Sequence, residues 1–496
     1  MSKRLIMILA AIFVVGIACA AYAEVQNVKV SGDITAEAVS RGNLLLRKAA
    51  GGNVSSVGTP STFNEYGKNI NGILSHIRLR VDADLTDNVS ATVRLINERV
   101  WGVETNSTSG STASSTNVGI DLAYATMKEF LYSPLTLTIG RQELHFGNDL
   151  IMGDVDTNNL MAGHIVGANS YGQILPKSLD DLSLRKSFDA VKATLNYDPL
   201  VIDGVYAKIA TNDVAQNNGV DLYGVNASYA VDKTTSVEAY YWLKERKKAG
   251  AAELSTGTSP QRAKNDTVHT FGVLGRNTSV KNLALSLELA YQLGNKINNQ
   301  TIYPNDLNSN GESRKRRAYA IQLMTQYNLK DLVKKYDPMV AASYTLLSGE
   351  SYKQNNKIWH GWDAMFENQA QGTLFNKIMG YSNAQIVNVT GSMKPMSDLK
   401  LTVAWSYLRL MKAVTTGIDG TTPNNVVITG VTGDPTYQMA ANKKSLGNEV
   451  DAQLTYDYTE DVQLGLGAGW FMPGDAFTSA NDKTASQVIG SMKVSF

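Results

Sequence analysis

The sequence predicts an all-β chain closed into a transmembrane antiparallel barrel of about 18 strands, and three observations carry that prediction. Apolar and polar residues alternate with period two in segments of roughly ten residues, the length that crosses a bilayer as a tilted strand. The connections alternate between short turns and long polar loops. The last segment, SQVIGSMKVSF, carries its alternation to a terminal Phe496.

The first residues, MSKRLIMILAAIFVVGIACAAYAE, begin with Lys3 and Arg4, run through an apolar core and reach Ala21-Tyr22-Ala23. That pattern reads as a secretory signal peptide over residues 1–23, leaving 24–496 as one barrel. Cys19, the only cysteine, lies within the signal, so the mature chain is expected to hold no disulfide, cysteine–zinc site or cysteine nucleophile. Without Lys3 and Arg4, 44 basic residues face 45 acidic ones, a formal charge of −1. So balanced a chain offers no overall attraction for nucleic acid, and any charge selectivity is local.

The first strand is predicted to start near Val28. The second, GILSHIRLRVDADL, shows the pattern plainly: Ile73, Ile77, Leu79, Val81, Ala83 and Leu85 share one face, and His76, Arg78, Arg80, Asp82 and Asp84 the other. Strands three to nine start near Val89, Val118, Leu135, Ser187, Leu200, Asp221 and Ser236. The tenth starts near Thr267 and the eleventh at Leu283, where Leu285, Leu287, Leu289 and Tyr291 oppose Ser286, Glu288 and Gln292. The next follow near Arg317, Met339, Asn383, Leu399, Asn448, Val462 and Ser486. Turns after even-numbered strands are short, such as 86–88, 197–199 and 458–461, while those after odd-numbered strands are long, such as 41–71, 146–186, 348–382 and 411–447. Short periplasmic turns and long outer loops are the habit of outer-membrane barrels, and a soluble sandwich has no reason to keep such order.

The barrel has a simple physical cause. Backbone N–H and C=O groups in hydrocarbon need partners, and a sheet supplies them all only by closing on itself. The apolar face then meets lipid and the charged face lines a lumen. The terminal Phe496 suits the interfacial aromatic girdle and the strand signal read by the barrel-assembly machinery.

The stretch GRQELHFG, residues 140–147, breaks the pattern. Strict alternation from Leu135, Leu137 and Ile139 would send Arg141, Glu143 and His145 to lipid and Leu144 and Phe146 to water. A one-residue bulge at Gly140 would invert the parity and turn the three polar residues into the lumen.

This stretch also carries a resemblance. LTIGRQELHFGNDLIMGD, followed by RKSFDAVKATLNYD, resembles the paired motif of the alginate-export family of outer-membrane porins. Further matches are the strand with Arg94, Glu98, Arg99 and Trp101, and the segment LGNEVDAQLTYDYTEDVQLGLGAGWFMPGD. The resemblance implies an 18-stranded monomeric barrel whose arginine-rich lumen passes an anionic polysaccharide. By position it makes Arg141 a pore-wall arginine and Asp189 its acidic partner. On strand parity, Arg78, Arg80, Arg94, Arg185, Lys192 and Lys208 are further lumen cations, tempered by Asp82 and Glu98, with Glu143 and His145 at the pore mouth. Glu238, Glu288, Glu449 and Asp451 make the lumen face of the later strands acidic.

Other constellations are weaker. Asn148, Asp149, Asp154, Asp156 and Asn158 form an oxygen-rich loop without EF-hand spacing, so no metal or other cofactor is expected. No HExxH, GxSxG or P-loop occurs, and the five histidines are scattered, so no enzyme is expected. The run RKRR at 314–317 sits where loop meets strand on the outer side, next to lipopolysaccharide, and reads as surface anchoring. The loop with Trp359, His360 and Trp362 is a candidate constriction. Two functions stay open: a diffusion channel for a polar, anionic solute, or a non-conducting scaffold barrel.

Overall fold

The computed structural model describes residues 27–47, 69–102, 118–155, 179–210, 219–247, 265–297, 313–350, 357–369, 372–414, 437 and 439–496. The signal segment 1–23 lies outside them, as do Asp156 and Asn158. The strands are β1 Asn27–Gly42, β2 Ile70–Thr86, β3 Val89–Val100, β4 Gly119–Met127, β5 Leu135–Glu143, β6 Ser187–Asn196, β7 Leu200–Ala210, β8 Gly219–Ala230 and β9 Thr235–Lys247. They continue as β10 Asp266–Asn277, β11 Leu283–Ile297, β12 Ser313–Asn328, β13 Met339–Leu347, β14 Ile358–Trp359, β15 Ala384–Met396, β16 Leu399–Leu410, β17 Ser445–Asp457, β18 Val462–Pro473 and β19 Ala485–Ser495. Leaving out the two-residue β14, which lies parallel against β12, the other 18 pair antiparallel in chain order. β19 returns to β1 over ten residue pairs, and Phe496 exchanges both backbone hydrogen bonds with Gly32. The sheet has no free edge, as hydrocarbon requires. All 18 expected strand starts fall within four residues of the observed ones, Arg317 against Ser313 differing most.

Alternation sorts residues by side. On β2, Ile73, Ile77 and Leu79 are exposed toward lipid, whereas His76 between them is buried inside. Outward aromatics stand in register on neighbouring strands: Tyr241 opposite Phe271, Phe271 opposite Tyr291, and Tyr291 opposite Tyr319. Such a row marks the edge of the hydrocarbon band.

Two steps along the strands toward the long loops runs an outward polar row. Through successive pairings it reads Arg141, Asp189, Lys208, Asp221, Glu245, Thr267, Asn295 and Lys315, from β5 to β12. Arg141 meets Asp189 at 3.2 Å, and Lys208 meets Asp221 at 2.8 Å. The inward neighbours of these residues, Phe188, Ala190, Ala207 and Leu222, are buried in the cluster that fills the lumen. Arg141, Asp189 and Lys208 therefore face outward at headgroup level, which corrects their expected place on the pore wall.

The expected parity inversion is also absent. β5 keeps continuous register with both β4 and β6 through Gly140, although that residue has φ +127°. Gln142 stands opposite Phe188, and Leu144 joins the interior cluster. Leu144 and Phe146 turn inward because the lumen is apolar there. The cluster they join includes Leu150, Ile151, Met152, Trp362, Phe366 and Phe375 from the connections after β5 and β13, together with Leu44, Leu46, Tyr437 and Phe477 from three other connections. The apolar change along the strand reflects a filled bore rather than a rotated strand.

Gly140 itself is constrained. A Cβ there would lie 2.1 Å from the Ala123 carbonyl oxygen, and its φ disfavours any L side chain. Gly140→Ala is expected to lower barrel stability by about 2 kcal/mol or more, measured as an earlier urea midpoint in lipid vesicles. Gly391→Ala, where a Cβ meets nothing within 4 Å, should leave the midpoint unchanged.

Candidate functional site

One arc of the lumen wall is ionic. β2 points His76, Arg78 and Arg80 inward, β3 adds Arg94 and Glu98, and β1 adds Asp33, Glu37 and Arg41, because period two brings every second residue to the same face. Each cation has a carboxylate at hand. Arg78 forks onto Asp33 at 2.8 Å, and Arg80 onto Asp82 at 2.7 Å, with Thr92 donating to the same aspartate. Arg94 lies between Asp121 and Glu143, at 2.5 Å from each. Glu143, the last residue of β5, thus reaches a lumen arginine, whereas Arg141 beside it does not. His76 sits between Glu37 at 3.4 Å and Glu98 at 3.1 Å. Lys192 is inward on β6 between Ala190 and Thr194, with no carboxylate partner among the described residues.

Arg185 lies outside the wall, in the segment 179–186 that returns into β6, where its N–H donates to Ser183 Oγ at 3.3 Å. Glu98 holds that segment, accepting the Leu184 N–H at 2.7 Å and the Ser183 hydroxyl at 2.9 Å. Asp181 nearby is forked by the buried Arg41 at 2.7 and 2.8 Å. His145 stands exposed at the start of the loop after β5, 3.1 Å from Asp149, whose carboxylate holds its pKa above the ordinary value. Asp154, the other described loop aspartate considered above, is bound to Lys186.

The later strands carry the acids, and these are occupied by inserted loops. Glu238 on β9 accepts the Gly147 N–H at 2.8 Å, and Glu288 on β11 accepts the Asn148 N–H at 3.1 Å and the Tyr240 hydroxyl at 2.7 Å. Glu449 on β17 accepts the N–H groups of Thr373, Leu374 and Phe375 at 2.6, 2.8 and 2.7 Å, at the start of the short helix α1, Phe375–Ile378. Thr373 also donates to Asp451 at 2.7 Å. The two loops then pair with each other: Gly153 and Asp154 donate to the Phe366 carbonyl, and Phe366 donates to Ile151. Phe188 of the wall meets the Phe366 ring edge-on at 5.7 Å, and Phe146 meets Trp242 at 4.9 Å.

Asp363 anchors the second loop. Its backbone exchanges two hydrogen bonds with the Gln292 side chain, at 2.8 and 2.9 Å, and its carboxylate contacts Lys244 and Arg316. Burial alone would raise the Asp363 pKa, but Lys244 and Arg316 outweigh it and hold the carboxyl well below its usual range. Glu367, buried at the junction of the two loops, behaves oppositely. Burial, with the Asp154 charge nearby, pushes it from 4.5 to about 8.

The partners Asp33, Glu37, Asp121 and Asp181 were not singled out from sequence. Strand parity across from Arg78 and His76 would have found Asp33, but no period marks Asp181 or Asp363, which lie in loops.

A family model described as "Alginate export" matches residues 61–491. No curated protein matches the chain. Among solved structures, Pseudomonas aeruginosa OccK8 (OprE) superposes with a TM-score of 0.52 at 10% identity, over 95% of this chain and 99% of that one. Pseudomonas aeruginosa OccK3 (OpdO) gives 0.52 at 11% identity, over 96% and 97%. At these identities the likeness is one of fold.

Two outcomes follow for the inserted loops. Glu449→Ala leaves three N–H groups without their acceptor, costing about 3 kcal/mol of loop seating; single-channel recording should show larger or more frequent openings. The second concerns pH. Glu367 is raised in the seated loop, so seating is strongest below about 4.5 and weakens as pH rises to about 8. Conductance is expected to climb across that window and to stay flat there in Glu367→Gln.

Proposed function

The chain belongs to the alginate-export family, and on that premise we propose that this outer-membrane channel passes a polar solute bearing carboxylates, an acidic saccharide being the class that fits. The observation that carries this reading is the inward file of His76, Arg78, Arg80 and Arg94, joined by Lys192 on β6. Farther round the wall, the inward residues Ser343, Asn388 and Thr402 are small and uncharged, as are Gly465 and Ser491 on β18 and β19, beside β1.

A solute carboxylate can replace Asp33 or Asp82 on a guanidinium, forming the same paired, charge-assisted bonds. Such exchange costs little at each step, which is what release from a conduit demands. The later acids do not oppose it, since Glu238, Glu288 and Glu449 are engaged by loop N–H groups. The loops leave less room than the bare barrel, so a long polymer would need them to move, and a short acidic fragment would not.

The ion pairs serve binding in this reading, and the protein is a conduit rather than an enzyme. Recognition of the Phe496 strand by the assembly machinery belongs to the same proposal.

Planar-bilayer recording tests it. The wild-type channel should prefer anions, and a small uronate should lower its chloride current. Lys192→Gln and Arg80→Ala should each move the reversal potential toward cation preference. Silent membranes would favour the scaffold reading, and selectivity unchanged in both variants would remove the ionic arc from the pathway.

A further inference from the structure

We propose that Lys315 and Arg317, on the outer face of β12, form a phosphate-binding site for lipopolysaccharide. The basic run RKRR is split by strand parity. Arg314 and Arg316 are buried inside, and Arg316 bonds Asp266 at 3.0 Å. Lys315 and Arg317 are exposed on the opposite face, in line with the outward Tyr319 and Leu323.

Their height is fixed by Tyr319, which closes the aromatic row from Tyr241. At about 3.3 Å per residue and a tilt near 40°, Arg317 lies about 5 Å and Lys315 about 10 Å beyond the hydrocarbon edge. The long-loop side faces the outer leaflet, so this is the layer that holds the phosphates of lipopolysaccharide.

The rest of the outward polar row explains why the site is local. On β5 to β9 the cations are neutralised in place: Arg141 by Asp189, and Lys208 and Lys247 by Asp221, at 2.8 and 2.6 Å for the two lysines. Toward β12 the row continues through Thr267 and Asn295, which bring no carboxylate. Neither Lys315 nor Arg317 has a carboxylate partner among the described residues. Two more exposed basic residues adjoin them: Lys357, whose carbonyl accepts the Lys315 N–H at 2.9 Å, and His360, whose ring Nδ1–H donates to the Arg317 carbonyl at 3.1 Å. A phosphate oxygen there meets a guanidinium fork, an ammonium and an imidazole, with no acid among the described residues to displace from Lys315 or Arg317.

The test titrates the purified full-length protein in detergent with rough-type lipopolysaccharide, the same lipid stripped of its phosphates, and phosphatidylglycerol. The wild type should bind the phosphorylated lipopolysaccharide about tenfold more tightly than the stripped form, the worth of one charge-assisted contact. Lys315→Gln with Arg317→Gln should lose that difference, whereas Lys208→Gln should keep it. Equal binding of intact and stripped lipid by the wild type would overturn the proposal without any variant. So would full retention in the double variant, an equal loss in Lys208→Gln, or phosphatidylglycerol bound as tightly as lipopolysaccharide.

Discussion

The ten-pair ladder between β1 and β19 is the constraint on which the rest depends. Once the sheet is closed, every strand has one face toward lipid and one toward the bore, and each residue's environment follows from its parity. His76, Arg78 and Arg94 are polar because they lie inside; Ile77, Leu79 and Val93 are apolar because they do not. Neither set could be exchanged for the other without placing ions in hydrocarbon.

A barrel of this circumference encloses more space than its own wall side chains fill, and here outer connections occupy it, those after β5 and β13 among them. Their backbones bring N–H groups that water can no longer serve, so the wall supplies acceptors. Glu449 takes three, Glu238 and Glu288 take one each, and Gln292 pairs with both backbone groups of Asp363. The apolar cluster of Leu144, Met152, Trp362 and Phe366 forms around those fixed points. Charge on the later strands thus serves loop placement, as Arg41 and Glu98 do for the segment before β6, while Arg78 and Arg80 stay partly exposed on the inner wall.

Much of the fold was legible because period two is a strong signal when both faces are specified. The eighteen strands and the order of short and long connections could be read directly. The loops could not, since an inserted segment has no period and its anchors are single residues far away in sequence. That gap produced the error at Gly140. Against a water-filled lumen, Leu144 and Phe146 call for a bulge. With an apolar filling inside, β5 needs no inversion, and Arg141 belongs with Asp189 on the rim. In the ionic arc, strand parity placed Arg78, Arg80, Arg94 and Lys192 on the inner face, but the carboxylate that each arginine meets emerged only from register.

The inserted loops also have a mechanical side. The connection after β5 is tied by Gly147 and Asn148 to β9 and β11, and the one after β13 reaches β9, β11, β12 and β17. Each behaves as a strut across a thin-walled tube. A tube of hinged staves flattens easily under lateral pressure, and ties across its diameter resist that flattening without adding material to the wall. Releasing a strut would therefore do more than widen the passage: it would let the whole cross-section change shape.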